Sequence, residues 1–256
     1  MTEQKREHCA QCGTQLQYLT AAVDARCTSC GKIFRSHITC PENHVLCDAC
    51  HGKEARKMIW ELVSTDQARD PLEAAERMMA HPAVPMLSCD HAFIAAGALL
   101  TALQNSPCGK MTEKDRKEVF DRIEEQARGG YCALTGVCGI VPAIGAVFSV
   151  FLGARCGSDR EQRIVMDAAT RTMRAITELT GPSCCKAYVR TSIAVASEVF
   201  AETLGIALPL GRAKPVCDHA ERHPHGCREE LCPYYRKPSK DIFAEAKWVP
   251  GIACTT

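Results

Sequence analysis

Sulfur is the first chemistry this sequence offers: 18 of its 256 residues are cysteine, a density that only disulfides, metal ligation or thiol chemistry explains. Cys9-x2-Cys12 and Cys27-x2-Cys30 are each followed by glycine. That spacing lets two thiolates of one tight turn grip a tetrahedral Zn2+ while backbone N–H groups face the sulfurs. A second set follows in CPENHVLCDAC, where Cys40, His44, Cys47 and Cys50 bring the ligands to eight, enough for two four-coordinate sites. His51, beside Cys50, is a spare ligand.

Two connectivities fit these eight residues. In a sequential zinc ribbon, Cys9, Cys12, Cys27 and Cys30 share one metal, and Cys40, His44, Cys47 and Cys50 share the other. In a cross-brace, Cys9 and Cys12 join Cys40 and His44, while Cys27 and Cys30 join Cys47 and Cys50. The run C-x2-C-x9-C-x3-H-x2-C-x2-C resembles the first three ligand pairs of a RING finger, which favours the cross-brace. The rest of a RING is missing, so a ubiquitin-ligase role does not follow. Closed four-ligand zinc sites leave no open position for chemistry, so these metals are expected to hold the fold, with docking as the functional option.

Further cysteines fall at predicted helix starts: Cys89 with His91 in PMLSCDHAF, Cys132 and Cys138 in GGYCALTGVCG, and Cys184-Cys185 in GPSCCKAY. A thiolate at a helix N-terminus is stabilised by unpaired N–H groups and the macrodipole, which lowers its pKa and favours nucleophilicity and metal ligation. Glycine next to cysteine would let backbone approach an iron–sulfur cluster. Cys89, Cys132, Cys138, Cys184 and Cys185 are therefore candidate cluster ligands. Cys89, Cys184 and Cys185 are also candidate reactive thiols, with His91 as the group that orients or transfers a proton. The C-terminal segment CDHAERHPHGCREELCPYY offers a third metal set in Cys217, His219, Cys227 and Cys232, with His223 and His225 between them. Its alternative is a solvated arm.

Composition limits the rest. Thirty-one Lys and Arg against 30 Asp and Glu leave no global field for phosphate backbone or anionic lipid. Residues 1–58, with 8 basic and 6 acidic side chains, lack the aromatic interleaving of a base-stacking surface. The first residues carry no apolar signal region, so a reducing cytoplasm is the expected setting and metal ligation outranks disulfides. No phosphate loop, C-x3-C-x2-C run or G-x-S-x-G elbow occurs, which argues against an ATPase, a radical-SAM enzyme or a serine hydrolase.

The elements that must position these residues read as mostly α. Residues 1–52 form a double zinc-binding module, 53–210 a Cys-rich α-helical domain, and 211–256 a Cys/His-rich arm. Helices are expected from Lys53, from Asp70-Pro71 as N-cap and N1 proline, over 90–104, over 112–128, and over 184–204 with Gly205 at the end. Ser158 to Glu161 reads as a capping box for a helix burying Ile164, Ala168 and Ile176. Residues 134–154 carry no charge for 21 positions, long enough to cross a bilayer. Their glycines and Pro142 favour a buried, closely packed helix instead.

The segments CPENHVLCDACHGKEA, DPLEAAERMMAHPAVPM, GGYCALTGVCGIVPAIGAVFSVFLGA and GPSCCKAY resemble an uncharacterised cysteine-rich family found alone or joined to radical-SAM or methyltransferase modules. The resemblance spans roughly residues 40 to 205. Leu87 to His91 stands where members tend to show HGPEHH, and Cys156 replaces a Thr-Pro-like element. A looser similarity links Cys89, Cys138-Gly139 and Gly145 to small redox proteins with a C-GCAxxG-C-C pattern, with Ile140 in place of its alanine. The resemblance implies a protein partner of the radical-SAM or methyltransferase kind. Together with the residues it gives two expectations: a metal-dependent redox or sulfur-handling protein with zinc and an iron–sulfur cluster or reactive thiols, or a zinc-stabilised binding module without catalysis.

Overall fold

The computed structural model describes residues 9, 11–107, 111–179, 181, 183–211 and 215–236; the arm beyond Arg236 lies outside the described residues. The two strands among them are β1 (Gln17–Arg26) and β2 (Ile33–Thr39). They pair antiparallel from Gln17↔Thr39 to Arg26↔Ile33, with an irregularity between Tyr18 and Val23. The turn between them is the second Cys-x2-Cys-Gly loop, closed by the Cys27 amide on the Lys32 carbonyl and the Gly31 amide on the Cys27 carbonyl, each 2.9 Å. Gly31 sits at φ +73°, a conformation that favours glycine.

Nine α-helices follow among the described residues, making the protein mostly helical: α1 (Asp48–His51), α2 (Lys53–Thr65), α3 (Pro71–Ala80), α4 (Asp90–Gln104), α5 (Glu113–Gln126), α6 (Tyr131–Thr135), α7 (Ile140–Leu152), α8 (Asp159–Glu178) and α9 (Cys185–Leu204). Helix α4 is the axis of the core. It is apolar on every side and buried from Asp90 to Leu103, as a helix without a polar face must be, and α2, α3, α5, α7 and α9 pack around it. Its small residues let neighbours close in: a Cβ at Gly97 would stand 2.8 Å from Val63 Cγ2.

Local chemistry sets the ends. The Asp70 carboxylate accepts the Leu72 and Glu73 amides at 2.8 and 3.3 Å, with Pro71 at the first helical position. Thr112 and Asp115 form a reciprocal capping box on α5. The capping box read at Ser158 does not form; its hydroxyl bonds back to Arg155, accepting from the amide at 2.8 Å and donating to the carbonyl at 2.7 Å. Helix α8 nevertheless buries Ala168, Thr172 and Ile176. The uncharged stretch divides at Gly136, which adopts φ +76°, into α6 and the 13-residue α7. No helix among the described residues is long and apolar enough to cross a membrane.

One guanidinium joins the cysteine-rich N-terminal segment to this core. Arg56 Nε donates to the buried Asp90 Oδ1 at 3.0 Å, Nη1 to Glu124 at 3.1 Å and Nη2 to the Asp48 carbonyl at 3.4 Å, and its guanidinium lies over Phe93, 4.6 Å from the ring centre. Gly52 leaves room for this pair, because a Cβ there would run into the Asp90 carboxylate. Its φ of −90° suits any residue, so the requirement is for space. Gly52→Ala is expected to displace Asp90 and cost roughly 1–3 kcal/mol, the usual effect of overpacking, read as a lower urea midpoint; an unchanged midpoint would show that the junction carries no such constraint.

Candidate metal centres

The hairpin settles which cysteines meet. Cys9 and Cys12 precede β1 and Cys40 follows β2, so these three gather at the open end, while Cys27 and Cys30 sit at the turn. A strand rises about 3.3 Å per residue, so β2 alone holds the two ends about 20 Å apart and the sequential ribbon cannot close. The chain after Cys40 runs back along the hairpin, where the Thr28 amide donates to the Val45 carbonyl at 2.8 Å. Cys47 and Cys50, at the start of α1, thereby reach the turn.

Two quartets result, Cys9/Cys12/Cys40/His44 and Cys27/Cys30/Cys47/Cys50, with the ligand atoms of each within 4.8 Å of one another. This is the crossed pairing. Cys12 and Cys40 sulfurs stand 3.5 Å apart, and those of Cys30 and Cys47 3.7 Å, close to the edge of a zinc–thiolate tetrahedron (~3.8 Å for Zn–S bonds of ~2.3 Å). His44 Nδ1 is buried with no hydrogen-bond partner, an orphan that a metal would satisfy. His51 is exposed and outside both quartets.

Each quartet holds one thiol that ionises easily beside at least one that does not. The Thr14 hydroxyl and amide hold Cys12 down to about 6, and the Cys47 and Cys30 backbone holds Cys27 down to about 6. Burial pushes Cys40 up and takes Cys47 up to about 12. Metal capture can begin on the ready thiolate and expel the remaining thiol protons as coordination completes.

A second group gathers at the helix starts. Cys89 caps α4, Cys138 stands two residues before α7, Cys185 opens α9 and Cys132 lies on α6. The lowered pKa values expected there are not found. Burial pushes Cys89 up to about 12, with the charges of Asp48, Cys132, Asp90 and Cys138 adding to it. Burial likewise takes Cys138 up to about 11, with Cys132 adding to it. Cys185 keeps some surface exposure, but its sulfur is desolvated and its pKa is driven well above the usual thiol value, with Cys138, Cys184 and Cys132 contributing. The helix-terminus attraction is only ~0.3–1 kcal/mol, less than one pKa unit at about 1.4 kcal/mol, so burial wins. These cysteines are close enough to feel one another's charge, yet no three bring their sulfurs within 4.8 Å. The Ile140 and Ser88 backbone amides offset part of the pKa rise at Cys138 and Cys185. Cys132 is the exposed member.

The GG loop before α6 ties this group to the first. The Gly129 amide donates to Asp48 Oδ2 at 2.9 Å, and a Cβ at Gly129 would run into that carboxylate. His91 faces elsewhere. It is buried, its Nδ1 bonded to the Ser88 carbonyl at 3.1 Å, and burial beside Lys186 pushes it down to about 3. At neutral pH it is an uncharged ring, poorly matched to the proton transfer expected of it.

Cys184 parts from its neighbour. It lines a pocket with Cys217, Cys227 and Cys232, and burial raises its pKa with Cys232 and Cys217 adding to it. His219 does not line that pocket; its Nδ1 is in contact with the Arg222 guanidinium. The arm is docked on α9, its Tyr234 hydroxyl 2.8 Å from Thr191 Oγ1, so the solvated alternative does not apply to these residues. Cys156 is exposed and joins neither group.

A family model described as a family of unknown function (DUF5714) matches residues 59–235. No curated protein and no solved structure matches the chain. The matched span starts and ends later than the residues on which the sequence resemblance stood. It covers the helix-start cysteines and the arm to Tyr235, and leaves both N-terminal quartets outside.

Thiol ionisation can be read by alkylation of metal-free protein near neutral pH. Cys12, exposed and with its pKa held to about 6, should label first, and Cys184 and Cys185 last, as followed by peptide mass spectrometry. Fast labelling of Cys185 would restore the activated-thiol reading.

Proposed function

The chain belongs to this family of unknown function, and from that premise we propose that it is a metal-dependent redox or sulfur-handling protein. Zinc holds the two N-terminal quartets, and the helical part carries an iron–sulfur cluster on Cys89, Cys132, Cys138 and Cys185. The observation that carries the reading is the gathering of four cysteines from four separate helix starts, near enough to act on one another's charge but without the 4.8 Å grouping of the N-terminal quartets. In a four-iron, four-sulfur cluster each thiolate binds its own iron, so the sulfurs stand farther apart than those around a single ion. A metal deprotonates the thiol it binds, which answers the high pKa of each buried sulfur. Backbone amides on Cys138 and Cys185 and the glycines around Cys132 suit cluster sulfides that accept N–H bonds.

Access supports the redox half. Three of the four cysteines are part-buried, Cys89 and Cys138 against the core, while Cys132 is exposed on α6 beside Tyr131, Leu134 and Val137, which are 52, 51 and 48% exposed. Such a centre has one open edge, bordered by apolar side chains that another protein can cover. The partner implied by the sequence resemblance is a radical-SAM or methyltransferase component that exchanges electrons or sulfur at this edge.

Anaerobic purification tests this by zinc, iron and acid-labile sulfide content together with the visible spectrum before and after dithionite. The expected result is zinc in the N-terminal quartets, with iron and sulfide and a bleachable absorbance near roughly 400 nm. Cys138→Ser and Cys185→Ser should remove the cluster of this site and leave the zinc. Zinc without iron or sulfide would leave a zinc-stabilised binding module as the reading.

A further inference from the structure

We propose that Cys184, Cys217, Cys227 and Cys232 form a second four-cysteine centre, which takes an iron–sulfur cluster of its own. The four cysteines line one pocket, Cys184 from the N-cap of α9 and the others from three points along the arm. Cys184, Cys217 and Cys232 are buried. Among the described residues no carboxylate lines this pocket, whereas two buried guanidiniums do, Arg190 and Arg228. Four thiolates in one pocket repel one another unless cations offset them; the bound iron supplies that charge, with Arg228 and the Glu76-paired Arg190 adding to it.

Two of the four cysteines also receive a backbone amide from two residues further on. The His219 amide is 3.4 Å from the Cys217 sulfur and the Glu229 amide 3.3 Å from that of Cys227. The Ala187 and Tyr234 amides act in the same sense on Cys184 and Cys232. Charge-assisted N–H bonds of this kind stabilise thiolates and tune clusters. His223 also lines the pocket but is committed elsewhere, with its Nε2 3.1 Å from the Ser183 carbonyl and its Nδ1 3.3 Å from the His225 amide.

The contrast with the N-terminal sites favours a cluster over a single ion. The two N-terminal quartets bring their ligand atoms within 4.8 Å of one another; this set does not. Zinc needs sulfurs ~3.8 Å apart, whereas cluster ligands on separate irons stand farther apart. Cys184 and Cys185 are consecutive, with Cα atoms ~3.8 Å apart, so the two centres would sit side by side at the head of α9. The arm centre stands independently of the helix-start cluster.

The test uses full-length protein purified without oxygen, with iron, sulfide and zinc counted in wild type, in Cys227→Ser/Cys232→Ser and in Cys89→Ser/Cys138→Ser. Zinc content and far-ultraviolet circular dichroism check that each variant is folded. The expected result is that each double variant loses half the iron and sulfide. The single variants Cys184→Ser and Cys185→Ser, which disturb the fold less, should lose different halves, distinguished by their reduced electron-paramagnetic spectra. Iron lost entirely in the arm variant and kept in the other would support this centre and overturn the helix-start cluster. Iron unchanged in the arm variant and in Cys184→Ser would overturn this centre and leave the other standing. A third zinc that disappears with the arm cysteines would also overturn it.

Discussion

The chain changes from extended to helical at the head of α9, where Cys184 is the N-cap at φ −132° and ψ 103° and Cys185 opens the helix, and this junction sends two adjacent sulfurs to different neighbours. Cys184 turns to the arm and Cys185 to the starts of α4 and α7. Both assignments depend on how firmly the first turns of α9 are held. Lys186 and Arg190 hold them from buried positions: Lys186 Nζ donates to the Met79 carbonyl at 2.9 Å, and Arg190 makes a two-point contact with Glu76 at 2.6 and 2.7 Å. A buried charge must be paired or hydrogen-bonded, so these bonds lock α9 to α3 and fix where the two sulfurs point.

The same economy of charge runs through the rest of the protein. The N-terminal segment reaches the core through Arg56, which satisfies the buried Asp90, and through Asp48, which accepts the Gly129 amide. Asp48 adjoins Cys47, a ligand of the second quartet, and its charge is also felt by Cys89. Metal loading at the quartet and the conformation of the helix-start group thus share one carboxylate. Burial costs Lys186 as well, pushing it down to about 8; negatively charged centres on either side would oppose that shift.

Much of this is legible in the residues. The paired Cys-x2-Cys-Gly turns, the Asp70-Pro71 helix start and the limits of α4 follow from local rules, because a tight turn, a cap and an apolar run act over a few neighbours. Spacing alone favours the crossed pairing, but only β1 and β2, by holding the ends of the hairpin apart, impose it. The division of Cys184 from Cys185 is hidden for the same reason: it is set by an arm that returns from more than 30 residues away. The expectation of activated thiols fails because a helix start is visible in sequence and burial is not. At Ser158 the local pattern is present and a competing bond to Arg155 takes its hydroxyl. The docking of the arm has a faint signal in Tyr234, which is buried and holds Thr191.

The proposed assignment gives the two narrow quartets to zinc and the two other cysteine groups to clusters. X-ray absorption at the zinc and iron edges of one anaerobic sample tests that assignment most directly. The expected result is zinc bound by seven sulfurs and one imidazole nitrogen over two sites, the donors of the two N-terminal quartets, at Zn–S distances of ~2.3 Å, and iron with iron neighbours. Zinc in an all-sulfur environment with no iron–iron scattering would contradict it.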